Sequence, residues 1–406
     1  MRNMRIAIIG GGAAGLMAAC LLARRGLKPT LLEKQSRVGR KLLSTGNGRC
    51  NLTNLNASEK DYHGDPRYVK AALTAFTPRD AMDFFASIGV ECAPDVEGRV
   101  YPLSNAAAGV LDGLRLYAAE QGCKIVPEFE VASVQRRRDF AITSKDGRRV
   151  QADCVLVACG GMAAPKLGGC ADGYHILEGF GHRITPRLPA IAALKTDPEA
   201  VRALKGIRMH GELELYCGER LLRREVGEIL FGEGSVSGIA AMQLARAVNL
   251  QKGKPCTLKL NFWPGAPENA IDRRADLLPQ RPLDDFLSGI VPKRLGQVLI
   301  KAAGVGPLSG LAGELDECER AAIQRCLTGW TLPVKSTLGF DAAQVTCGGA
   351  ELKGFDVETL ESRLTPGLFA AGEVLDVDGD CGGFNLHWAW ASANLVAREI
   401  IRRAEN

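Results

Sequence analysis

The sequence predicts an α/β protein: a domain built on a parallel sheet, split along the chain by an inserted domain rich in strands and helices. Three observations predict it. Residues 4–34 (MRIAIIGGGAAGLMAACLLARRGLKPTLLEK) read as strand, tight turn, helix and strand, with Gly10, Gly12 and Gly15 in G-x-G-x-x-G register. Residues 154–159 (CVLVAC) form a fully apolar strand ending on Gly160 and Gly161, the way a parallel sheet presents its carboxyl end to a ligand. Residues 367–401 repeat that style, whereas the texture between them changes at Pro186, Pro189 and Pro198.

In the opening segment each glycine has a task. Gly10 permits the sharp turn, Gly12 leaves room for a pyrophosphate against bare backbone, and Gly15 lets helix and strand approach closely. The helix over residues 13–25 then points its N–H groups and positive dipole end at the phosphates. Glu33, at the end of the second strand, is placed to accept a hydrogen bond from a ribose 2′-hydroxyl, which suits adenosine without a 2′-phosphate. A basic start before an apolar run also resembles a signal peptide. The three consecutive glycines, the lack of a small-residue cleavage pattern and the βαβ layout argue against that reading.

A chain of 406 residues calls for two or three domains. At 46% hydrophobic and 24% charged residues it has an ordinary globular composition, and no apolar run is long enough to span a membrane. The 13 cysteines are odd in number and never in C-x-x-C spacing, which reads as reduced cytoplasmic thiols rather than a disulfide framework or zinc site. The net charge of +5 is mild and resides in the first 189 residues, while Lys and Arg nearly balance Asp and Glu over residues 190–345.

After Glu33 the loop GRKLLSTGNGRCNLTN (residues 39–54) is too polar for a core and too punctuated for a helix, and reads as a ligand cradle. Residues 68–89 and 106–122 read as amphipathic helices, 97–104 as a hairpin-like turn. Strands are expected at 124–134, 140–143 and 149–152, with Arg136, Arg137 and Arg138 in a charged turn, then a helix at 173–180. The domain boundaries fall at 1–189, 190–345 and 346–406. The insert carries a hairpin (212–216 with 220–225), a strand at 257–262 and a helical part over about 267–329. Beyond it comes a strand at 368–371, then Gly372 and Glu373, then Gly382 and Gly383 ahead of a helix at 385–403. Asp376, Asp378 and Asp380 lack the loop and closing Glu of a calcium site, so no metal is assigned. A glycine-flanked helix start suits the electron-rich edge of a reduced flavin. Two such elements closing on one sheet fit FAD better than NAD.

These segments resemble the BaiN/YhiN-type flavoproteins, aminoacetone-oxidase-like FAD enzymes. The resemblance rests on IIGGGAAGL, GRKLLSTGNGRCNLTN, GRVYPLSNAA, residues 160–182, TCGGA and GLFAAGEVLDVDGDCGGFNLHWAWASA, and covers nearly the whole chain. It implies a split Rossmann-type FAD-binding domain and an insert overhanging the flavin. By position, Gly10, Gly12, Ala14 and Gly15 would hold the pyrophosphate, with Glu33 and Lys34 near the adenosine and Val131 meeting the adenine. Arg40, Lys41, Gly48, Arg49, Cys50 and Asn51 would line the flavin, and Gly372, Glu373, Gly383, Phe384, Asn385 and Leu386 would hold its ribityl and pyrimidine end. The chain departs from the family at Gly232-Glu233, where Thr-His is common, and at Cys347 and Cys381, where Ala or Thr is common. No catalytic histidine is therefore carried over.

The leading reading is an oxidoreductase with non-covalent FAD and hydride transfer at flavin N5, acting on a small organic substrate of the amine or enone class, with NAD(P)H or O2 as redox partner. With no second G-x-G-x-x-G, a nicotinamide has no dedicated site and docks only transiently. Two alternatives stand beside it. One is reduction of uridine to dihydrouridine in ribosomal RNA, which the balanced charge of the insert disfavours. The other is a flavin redox sensor without turnover, using Cys50, Cys347 or Cys381, residues that read more readily as small buried side chains. The catalytic group is unassigned; Glu233, Cys347 and His387 (beside Trp388) are the candidates. Glu233 lies in residues 227–238, the expected lip of a specificity-giving insert. Nothing in the sequence indicates an oligomeric state.

Overall fold

The computed structural model describes residues 4–406, which divide into two compact units. One comprises the chain up to Leu188 together with Val345–Asn406, the other Pro189–Gln344. The main elements run, in chain order, β1 (Ile6–Ile9), α1 (Ala13–Arg24), β2 (Thr30–Leu32), β3 (Lys124–Val126), β4 (Cys154–Val157), α2 (Asp172–Gly179), β5 (Arg208–Cys217), β6 (Arg220–Gly232), β7 (Cys256–Asn261), β8 (Trp330–Val334), β9 (Leu368–Ala370) and α3 (Phe384–Glu405).

The first unit is built on a five-stranded, all-parallel sheet in the order β9-β4-β1-β2-β3. Every residue of β1, β4 and β9 is buried, as apolar strands covered on both faces must be. Ile8 sits between Leu156 of β4 and Leu31 of β2 in register. α1 is rich in Ala and Gly on its buried side, which allows it to pack closely on the sheet and on α3. α3 is anchored by Trp390, fully buried, whose indole N–H donates to the Leu52 carbonyl (2.9 Å) while Phe85 meets its ring edge-on.

Two expected elements come out divided. Residues 68–89 form two helices, Pro66–Ala75 and Pro78–Ser87. Thr77 caps the second by accepting from the Asp80 N–H, and the Asp80 carboxylate accepts from the Thr77 N–H in return, with Pro78 in the first turn. That capping box is a start signal inside an otherwise periodic run. Residues 124–134 form β3 and a separate strand, Val131–Arg136, in a three-stranded antiparallel meander. Pro127 offers no N–H and Glu128 is left-handed (φ +55°), so the ladder stops there. The N–H groups of Glu128 and Phe129 turn instead to the carbonyls of Gln35 (3.1 Å) and Glu33 (2.8 Å).

The second unit holds a seven-stranded sheet in which β8, β7, β5 and β6 are successive neighbours. β5 and β6 form a hairpin longer than the expected one. β8 runs on into Ser336–Thr337, which pairs with Leu194–Lys195 at the far edge of the sheet. The Lys335 N–H donates to the Lys195 carbonyl (2.9 Å) and the Leu338 N–H to Ala193 (2.8 Å), so the sheet curls shut on itself. Phe231, Phe262 and Trp330 cluster within this unit, and its helices include Ala270–Leu277, Lys293–Ala302 and Glu317–Gly329. Among the described residues no helix is long and apolar enough to cross a membrane.

Candidate functional site

The loop between β1 and α1 is built as tightly as backbone permits. Gly10 is left-handed (φ +108°), and a Cβ there would lie 2.4 Å from the Ala158 carbonyl oxygen at the end of β4. At Gly15 a Cβ would lie 1.9 Å from the Gly10 oxygen. Gly12 is different. It caps α1 without a side-chain hydrogen bond, and nothing lies within 4 Å of where its Cβ would be. The first-turn N–H groups of α1 thus open onto clear space, the arrangement that receives an anion at a helix start. Ala14 is buried in that turn, its Cβ against Gly372.

Glu33 closes the loop from β2. Its carboxylate accepts from the N–H of Gly11 (2.8 Å) and of Gln35 (2.7 Å), and each oxygen keeps one lone pair for a hydroxyl donor. Lys34 pairs with Asp172 at the start of α2 (3.0 Å). Val131 begins the meander strand that the Glu33–Phe129 bond ties to the end of β2. Arg40 donates to Gln35 and to the Lys166 carbonyl (3.0 Å).

The cradle loop after residue 39 owes its shape to left-handed backbone at Gly46, Asn47, Gly48 and Cys50. A side chain at Gly48 would meet nothing within 4 Å. Arg49 lies over the Tyr101 ring at 4.6 Å. Cys50 is fully buried, its thiol pushed up to about 12 by burial, so it is no reactive thiolate. Asn51 Oδ1 is buried with no hydrogen-bond partner, and it stands 2.7 Å from where a Cβ on Gly383 would be. An orphaned acceptor beside a side-chain-free helix start is the mark of a site shaped for a ligand.

Gly383 (φ +99°) caps the 22-residue α3 with no side-chain hydrogen bond. Phe384 meets Tyr62 edge-on, and the Tyr62 hydroxyl donates to the Phe384 carbonyl (3.1 Å). The Asn385 amide is engaged with Gly379 and Asp380, and Leu386 is half-buried in the same turn. Glu373 spans the two halves of the site. One oxygen pairs with Lys41 (2.7 Å), the other accepts from the Thr346 N–H (2.8 Å), and both approach Gly160 and Gly161 after β4. Thr346 and Ser392 add contacts that no local sequence pattern marks, and Trp388, beside His387, takes a structural part. The Thr346 hydroxyl accepts from the N–H of Met162 (2.9 Å) and Ala163 (3.0 Å), while Ser392 and Trp388 of α3 clamp the N–H and C=O of Gly372. The TCGGA segment was the only trace of Thr346.

The three catalytic candidates have different surroundings. Cys347 is buried beside Thr346. Glu233 belongs to the second unit, 67% exposed, in an ion pair with Lys205. His387 is fully buried in α3, with Nδ1 2.9 Å from the Thr53 hydroxyl, Nε2 without a partner and Phe76 stacked on the ring. Burial pushes its imidazole down to about 4, so it is neutral at pH 7. Because the unfolded chain protonates near 6.5, stability present above that pH is lost as the pH falls from 6.5 toward 4, by up to about 3 kcal/mol. Urea unfolding at pH 7 and 4.5 should show a smaller acid loss in His387→Gln; equal losses would remove His387 as the cause.

A family model described as the HI0933-like protein Rossmann domain matches residues 4–399. A 3-dehydro-bile acid delta(4,6)-reductase from Clostridium scindens is 35% identical over 98% of this chain and 99% of its own. A ribosomal RNA dihydrouridine synthase from Haemophilus influenzae is 29% identical, covering 98% of both chains, and one from Escherichia coli is 29% identical, covering 99% of both. In fold, the chain is similar to a 3-ketosteroid delta1-dehydrogenase from Sterolibacterium denitrificans (TM-score 0.53, 13% identity, 98% of this chain and 99% of that one). It is also similar to a flavocytochrome c3 fumarate reductase (TM-score 0.50, 15% identity, 99% and 79%).

Proposed function

The chain belongs to the HI0933-like Rossmann family and is an FAD-dependent oxidoreductase, and from that premise we propose that it reduces a conjugated carbon–carbon double bond in a small substrate of the enone class. The observation that carries the cofactor side is the pair of uncapped helix starts, Gly12 of α1 and Gly383 of α3, with the orphaned Asn51 Oδ1 beside the second. These residues fit a dinucleotide that has both a pyrophosphate and a ring carbonyl edge.

The residues divide the work. The α1 N–H groups bind the pyrophosphate, and the lone pairs left on Glu33 receive the ribose hydroxyls. The positive end of α3 favours negative charge on the ring edge. Glu373, held at one oxygen by Lys41 and at the other by the Thr346 N–H, would help to hold the ribityl end. When bound, FAD supplies the hydride chemistry at N5. NAD(P)H is the proposed reductant, docking without a fold of its own. The enone reading is supported by the relative named as a bile acid delta(4,6)-reductase. We further propose that Pro189–Gln344 supplies substrate specificity, because every phosphate- and ring-directed residue above lies outside it.

A second reading, uridine in ribosomal RNA as substrate, is favoured by the whole-length match to two proteins so named and by the exposed run Arg136, Arg137 and Arg138 where the meander strand ends. One experiment separates them. The purified protein should be yellow and release FAD on heating; FMN or NAD alone would overturn the cofactor assignment. Bleached anaerobically with NADPH or NADH, it should recover its colour with a 3-keto-4-ene steroid. Recovery only with a uridine-containing RNA selects the second reading, and recovery with neither, alongside bleaching by a primary amine, defeats both.

A further inference from the structure

In the second unit, β5 and β7 run antiparallel from the pair Glu212–Asn261 to the pair Cys217–Cys256, where the ladder ends. Directly opposed residues project from the same face with Cβ atoms about 4.5–5.5 Å apart. A disulfide requires about 3.5–4.5 Å, so a small approach suffices. Cys256 stands directly opposite Cys217, and its Sγ donates to the Lys254 carbonyl (3.6 Å).

The chain on both sides can supply the approach. β5 ends in the exposed Gly218-Glu219 turn, with Gly218 left-handed (φ +58°), and β7 is preceded by exposed Lys252 (φ +54°) and Gly253 (φ +84°). The two thiols differ in access. Cys217 is half-buried, whereas Cys256 is only 4% exposed. Arg220, opposite Cys217 on β6, and the exposed Lys252 and Lys254 give the rim a positive charge suited to an anionic reagent. Among the described residues no group of three metal-binding side chains forms, so the pair stands as a dithiol.

We propose that Cys217 and Cys256 are a redox-modification site, a cross-strand dithiol that a small anionic disulfide oxidises to an intrachain disulfide. The accessible Cys217 attacks first. Its thiolate displaces one thiolate from the disulfide, leaving a mixed disulfide on Cys217. Cys256 then gives up its proton and attacks the Cys217 sulfur, expelling the second thiolate. Two electrons leave the cysteine pair, and the disulfide becomes two thiols. The bond closes a covalent loop around β6 and the helices Ile239–Gln243 and Ala245–Leu250, pinning the hairpin to β7.

The test incubates the full-length protein with oxidised glutathione, quenches with iodoacetamide and maps peptides without reduction. The expected product links the Cys217 and Cys256 peptides, reversibly with dithiothreitol, after a transient glutathione adduct on Cys217. Cys256→Ser should arrest at that adduct, and Cys217→Ser should leave Cys256 unmodified. A stable glutathione adduct on Cys217 with Cys256 still alkylated, or linkage of either to another cysteine, overturns the proposal. The time course on the unmodified protein decides the matter even if a variant folds poorly.

Discussion

Gly12→Val will weaken FAD binding severely and leave the apoprotein folded. The backbone at Gly12 is extended (φ −83°, ψ −164°), and beyond its chain neighbours no protein atom lies within 4 Å of the new Cβ. The fold therefore has nothing to lose there. The ligand does, because the isopropyl group occupies the space in which a pyrophosphate would meet the N–H groups of α1. Losing that approach should weaken binding by a factor of about 100 or more, roughly 3 kcal/mol. Titration of apoprotein with FAD reads the affinity, and a thermal melt of the same apoprotein should stay within a few degrees of the unmodified one. Equal flavin content in variant and unmodified protein would refute the assignment of this loop.

The local parts of this site were legible from residue types. Gly10, Gly12, Gly15 and Glu33 lie within one βαβ unit, so their spacing alone predicts the tight turn and the close helix–strand approach found there. The loop after residue 39 was legible as an irregular segment from its density of glycine and asparagine, but its shape was not, because that depends on which residues take left-handed backbone. The links across the site were hidden for a different reason. Thr346 meets Met162, and Glu373 meets Lys41, each across the whole insert, and no periodicity encodes such a pair. His387 shows the same limit. As a histidine beside a helix start it reads as a catalytic candidate, yet the packing of Thr53 and Phe76 makes it a neutral core residue. In the insert the strands were visible by alternation, while the closure of their sheet rests on the contact of Lys335 with Lys195, which alternation cannot express. The divisions at Thr77 and Pro127 each lie at a proline, Pro78 and Pro127, whose local meaning the longer apolar pattern outweighs.

Gly15→Val will also cost FAD binding, but by breaking the fold that presents the site. Its Cβ would be placed 1.9 Å from the Gly10 carbonyl oxygen and 3.3 Å from Ile8 Cγ2. The oxygen cannot step aside, since the Gly10 N–H is committed to the Leu32 carbonyl (2.8 Å) and Gly10 itself is pressed against Ala158. Relief must come from lifting α1 off β1. That exposes part of a helix whose Leu16, Met17, Ala18 and Leu22 are all fully buried. Overpacking of side chain on side chain costs about 1–3 kcal/mol, and backbone that cannot yield places this substitution at or above the upper end. For a unit of this size about 3 kcal/mol lowers the unfolding midpoint by roughly 6–12 °C. The apoprotein melt is the decisive readout, because there the two glycine variants part: Gly12→Val melts with the unmodified protein and Gly15→Val well below it. A Gly15→Val apoprotein as stable as the unmodified one would mean that α1 and β1 are not held in the close contact described here.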